Sequence, residues 1–200
     1  TPGSWRSNGQ ESGFGGSNVS YLTSPPYTLT KSGIFTLTFS HRFSFEVGFD
    51  GGVVEYNING GVYKRVPASA FTLNGYNVSL GVDAVAPLIN QQAFGSDSPG
   101  HPAFITSTCR AGVGNAGDVV TVRFMSASDN NTSGALTPQG WEIDSYTFAE
   151  GLPGGMTLTW PVGVMQYSDD LLPPWTDITG TSPLFIDTSL APKRFFRLKP

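Results

Sequence analysis

The sequence predicts an all-β fold of antiparallel strands, and three observations predict it. Apolar and polar side chains alternate with a period of two over long stretches, as strands with one buried face require. No stretch sustains a helical period. Charged residues make up only 13 % of the 200, about half the usual quarter; 40 Ser and Thr, 25 Gly and 15 Pro take their place. A hydrophobic share of 38 %, with 14 Phe, is enough to build a core, which argues against disorder.

The clearest element is the first. Phe35, Leu37, Phe39, His41, Phe43 and Phe45 fall on one face of a strand, and Thr36, Thr38, Ser40, Arg42 and Ser44 on the other. Asp50-Gly51-Gly52 and Asn59-Gly60-Gly61 supply residues that tolerate positive φ in tight turns, so residues 34–66 are expected as a three-stranded meander. Residues 67–102 are irregular and rich in Asn, Gly and Pro, an excursion over the surface. Residues 103–109 form a strand. Residues 118–124 form another, with Val120, Val122 and Phe124 inward, and residues 141–148 close the domain. The Gly- and Pro-rich residues 151–155 mark the boundary, giving domains at 1–152 and 153–200. Four short strands follow, at 156–160, 164–167, 184–187 and 195–198. So small a unit is expected to pack on the first domain or on a neighbour.

Five pieces of the first 150 residues match a family in order: Leu22-Thr-Ser-Pro-Pro26; Leu37-Thr-Phe-Ser-His-Arg-Phe43 with Glu46; Asp50 through Gly61; Val122-Arg-Phe124 with Asp129; and Gly140-Trp-Glu-Ile-Asp144. They resemble the MAM-like jelly-roll accessory modules of large secreted bacterial proteins. Leu158-Thr-Trp-Pro161, Trp175-Thr-Asp177 and Arg194-Phe-Phe-Arg-Leu198 resemble a small C-terminal β module of secreted proteins from environmental bacteria. The resemblance implies an antiparallel jelly-roll β-sandwich with a small C-terminal β domain, an extracellular location, and an accessory role.

A net charge of −4 without a basic cluster argues against nucleic acid as a partner. The lack of any long apolar run argues against membrane insertion by a helix. Cys109 is the single cysteine, so no internal disulfide forms, and it is expected to be a small buried hydrophobe. Gly112 to Gly117 satisfies the dinucleotide pattern G-x-G-x-x-G, but a strand rather than a helix follows it, so it is expected to be a loop.

Asp129, Asn131 and Ser133 alternate before Gly134, the start of a calcium loop; the other reading is a solvated polar loop. Gly140 stands where an EF-hand needs its bidentate Glu. Asp144, on the closing strand, is the further candidate ligand, and jelly-roll modules of the resembling kind often carry structural calcium. His41, on an apolar face, is expected in a buried polar cluster with Glu46 or Asp144. No H-E-x-x-H or G-x-S-x-G occurs, and Glu46 and Glu55 frame no evident groove, so catalysis is not expected. Tyr63 and Trp5 are the candidate sugar-stacking aromatics, with a polysaccharide or cell-surface glycan as partner. The other function class is a structural subunit of an extracellular assembly, self-associating by adding its N-terminal segment to a neighbour's sheet edge.

Overall fold

The computed structural model describes residues 4–7, 18–129, 135–152, 155–178, 180, 182, 184–187 and 194–199. The first strands are β1 (Trp5–Ser7), β2 (Asn18–Thr23), β3 (Tyr27–Thr28), β4 (Gly33–Ser44), β5 (Gly51–Ile58) and β6 (Lys64–Arg65). A 3-10 turn at Ala68–Ala70 precedes β7 (Phe71–Leu73), β8 (Val78–Ser79) and β9 (Gln92–Ala93). The long strands β10 (Ile105–Gly114), β11 (Val119–Ser128) and β12 (Gly140–Leu152) follow. Beyond them lie β13 (Gly155–Leu158), β14 (Met165–Ser168), β15 (Thr176–Asp177), β16 (Leu184–Asp187) and β17 (Phe195–Leu198).

The chain is all-β, and its strands pair antiparallel in two five-stranded sheets and three smaller ones. One large sheet runs β1-β12-β4-β10-β7; the other runs β2-β11-β5-β6, with β3 also paired to β11. Successive long strands β4, β5, β10, β11 and β12 alternate between the two sheets. The alternation in β4 explains its place at the centre of its sheet. Phe35, Leu37, Phe39, Phe43 and Phe45 are buried against Val54, Val120, Val122 and Phe124 from the facing sheet. On the opposite face, Thr38 meets Thr108 at 3.2 Å and Arg42 pairs with Glu142 at 2.7 Å, cross-strand pairs of the kind that stabilise sheets.

The expected meander is only half correct. β5 and β6 pair across the Asn59-Gly60 turn, where both residues have positive φ. β4 and β5 do not pair; they belong to different sheets. The turn between them lies at 47–49, with Gly48 at φ 86°. Gly51 and Gly52 are strand residues, and Gly52 is needed because a Cβ there would run into the Trp141 indole. An Asp-Gly-Gly sequence resembles a hairpin turn; here Gly52 allows close packing of backbone on an aromatic ring and Gly51 close approach of the Phe94 carbonyl.

The excursion at 67–102 covers more than surface. Leu80, Ala84, Val85, Leu88 and Ala93 bury Val53, Met125 and Ala127 on the outer face of the second sheet, while Phe94 reaches the main core. Residues 112–117 are the end of β10 and a turn into β11, with no helix after them. In the small unit, β13 pairs with β16, and β14 is flanked by β15 and β17. Trp160 and Met165 are its buried hydrophobics among the described residues, and Arg194 over Tyr167 and Arg197 over Trp175, each at 4.2 Å, brace its surface. β16 runs beside β4 and β10. No helix among the described residues is long and apolar enough to cross a membrane.

Candidate functional site

A row of side chains crosses the outer face of the second sheet, partly exposed except for the buried Glu55. Register pairs Thr23 of β2 with Arg123 of β11, Arg123 with Glu55 of β5, and Glu55 with Arg65 of β6, so all four lie on one face in a line across the sheet. Glu55 accepts from Arg123 Nε at 2.7 Å and faces Arg65 at 3.5 Å. The Arg123 guanidinium lies between two rings, 4.3 Å from the Tyr21 centroid and 3.8 Å from that of Tyr63. Each such contact contributes about 0.5–1 kcal/mol at an exposed site. Together they hold two tyrosines in fixed orientations on a strip whose next row is covered by the 67–102 excursion. Tyr21 stays 47 % exposed and Tyr63 is half-buried.

Of the two aromatic candidates, Tyr63 is therefore on this strip. Trp5 lies on the edge strand β1, paired with β12, and packs half-buried against the core. The alternation signal selected Tyr63 but missed Tyr21 and Arg123, which reach it only through strand register across some forty to sixty residues of sequence.

A second cluster is acidic. Glu46 and Asp50 flank the turn after β4, with Asp50 N–H donating to Glu46 O at 3.3 Å. The pairing of Ala127 with Gly51 brings the end of β11 alongside, and Asp129 N–H donates to Asp50 Oδ1 at 2.9 Å. Ligand oxygens from Glu46, Asp50 and Asp129 all lie within 4.8 Å of one another. Burial pushes the Asp50 carboxyl up to about 7, against a lowering by the Asp129 N–H; the carboxylates of Asp129 and then Glu46 add smaller upward pushes. Of the residues expected as metal ligands, Asp129 belongs to this group and Asp144 does not. Asp144 is exposed, at a bulge where β12 shifts register against β4. Asn131 and Ser133 lie outside the described residues. Glu46 and Asp50 were not expected as metal ligands: Glu46 was read as a partner of His41 and Asp50 as a turn residue, and only the strand register brings them to Asp129.

His41 is fully buried, but its partners are neither Glu46 nor Asp144. Trp141 Nε1–H donates to His41 Nδ1 at 3.0 Å. An indole N–H can only donate, so Nδ1 carries no proton, and Nε2–H donates to Ser107 Oγ at 2.7 Å. Ser107 in turn donates to Asn74 O at 2.5 Å. The chain of bonds has one direction. The histidine donates to the serine, the reverse of what base activation of a nucleophile requires. Burial holds the imidazole down at about 3. Cys109 is likewise fully buried, as expected, and burial pushes its thiol up to about 12.

A cleft of about 390 Å³ opens between the β6–β7 segment and β10, lined by Ile34, Tyr56, Ile58, Lys64, Arg110 and Gly112 among others. Among the described residues, no carboxylate, histidine or cysteine lines it. Comparison with family models, curated proteins and solved structures finds no match to this chain.

Proposed function

We propose that this chain is a non-catalytic extracellular accessory module of a larger secreted protein, binding a polysaccharide or cell-surface glycan through the outer face of its second sheet. The observation that carries the reading is the Tyr21–Arg123–Tyr63 stack. Sugar rings bind proteins through C–H faces laid on aromatic rings and hydroxyls bonded to charged groups, and the strip offers both side by side. Holding the rings before binding lowers the ordering cost that a ligand otherwise meets. The composition and the resemblance to secreted accessory modules support the extracellular setting.

The test is affinity electrophoresis through gels containing xylan, mannan, β-glucan or alginate, with pull-down on insoluble cellulose and chitin. Retention on at least one polymer, lost in both Tyr21→Ala and Tyr63→Ala and kept in Trp5→Ala, is the expected result. Retention on none of the six, or retention unchanged in both tyrosine variants, would overturn the proposal.

A further inference from the structure

We propose that Glu46, Asp50 and Asp129 form a binding site for a hard divalent cation, and that Ca²⁺ is its occupant. The site is separate from the aromatic strip and stands or falls independently of it.

Two features support it. The first is spacing. Oxygens bound to one Ca²⁺ at about 2.4 Å are at most about 4.8 Å apart, and the three carboxylates place ligand oxygens within that span. The second is a buried oxygen without a partner. Asp50 is 1 % exposed; its Oδ1 accepts the Asp129 N–H, while its Oδ2 has no hydrogen-bond partner among the described residues. A buried polar atom left unsatisfied is destabilising, and an ionised one more so. A cation removes that cost and also offsets the mutual repulsion of three carboxylates.

The donor set chooses the ion. Oxygen ligands alone, with neither His nor Cys in the group, disfavour zinc and copper. Three carboxylates on a turn and a strand end suit the flexible six- to eight-oxygen shell of Ca²⁺, completed by carbonyls or water. Mg²⁺ commonly takes one or two carboxylates and keeps most of its water. The ion would tie the β4–β5 turn to the end of β11, two segments separated by about 80 residues of sequence, and so clamp one end of the sandwich.

The experiment is thermal unfolding of the full chain after EDTA treatment and removal of the chelator, titrated with CaCl₂ or MgCl₂, alongside isothermal titration with CaCl₂. The expected result is one Ca²⁺ per chain, half-saturating at about 10⁻⁴–10⁻³ M or below. The midpoint should rise by about 5–10 °C at a hundredfold excess over Kd. Asp50→Asn should lose the rise, and Asp129→Asn, which keeps the backbone N–H, should reduce it at least tenfold in affinity. If Asp50→Asn fails to fold, Asp129→Asn decides. No calcium-dependent shift or heat in the unsubstituted chain would overturn the proposal. So would an equal shift in the folded variants, or a response to Mg²⁺ alone.

Discussion

The buried His41 makes stability depend on pH in a way that one substitution isolates. The folded imidazole stays neutral down to about 3, against 6.5 when exposed. Below 6.5 the unfolded chain takes up a proton that the folded chain refuses. His41's contribution is therefore complete above pH 6.5 and is lost as the pH falls toward 3, at about 1.4 kcal/mol per pH unit and about 4–5 kcal/mol over the window. Asp50 acts with the opposite sign. Its folded carboxyl is raised to about 7, so the stability it confers is present below pH 3.8 and is lost between there and 7. The two slopes nearly cancel in the unsubstituted protein, which hides both. His41→Gln leaves the Asp50 contribution in place and removes the imidazole. At pH 7 it should lose about 1–3 kcal/mol, because the Trp141 indole N–H and Ser107 lose well-placed partners. Toward pH 4 the difference should shrink and then reverse, with the variant becoming the more stable protein. Urea unfolding at pH 4, 5, 6 and 7, in EDTA, measures the difference directly. A difference constant to within 0.5 kcal/mol (roughly the additivity error of such comparisons) across that range would refute the assignment of a neutral, buried imidazole.

Three other substitutions or treatments follow from the packing. Gly52→Ala should destabilise by about 1–3 kcal/mol through overpacking against Trp141, seen as a lower urea midpoint with unchanged slope. Glu55→Gln should cost about 1–3 kcal/mol and loosen Arg123 from between its tyrosines, reducing polysaccharide retention along with stability. Cys109 should resist a thiol reagent at pH 8 in the folded chain and react fully in urea; rapid labelling of the native protein would contradict its burial.

The strands were legible where one rule applied locally. The Phe35-to-Phe45 alternation marks β4 because each second residue must enter the core, and Val120, Val122 and Phe124 mark β11 for the same reason. What sequence order hides is which sheet a strand joins. β4 and β5 look like a hairpin because Asp50-Gly51-Gly52 has hairpin chemistry, yet Gly52 is required by the Trp141 ring contributed by β12 and Gly51 by the Phe94 carbonyl. The C-terminal strands fell within two residues of the expected spans, apart from the two-residue β15, which was not expected. The site was legible in single residues only. Tyr63 and Asp129 stood out for their own chemistry, but Arg123 and Asp50 acquire their roles from register across the sheet. His41 showed as buried, while its partners Trp141 and Ser107 depend on the neighbours of β4 on either side.

The most direct measurement of the binding face is amide hydrogen exchange with and without a polysaccharide that retains the protein. Protection should concentrate in residues 19–23, 55–65 and 121–125, the strands that carry Tyr21, Glu55, Tyr63 and Arg123. Protection confined to the cleft beside Arg110 and Gly112, or to β1 around Trp5, would contradict the assignment of the glycan to the outer face of the second sheet.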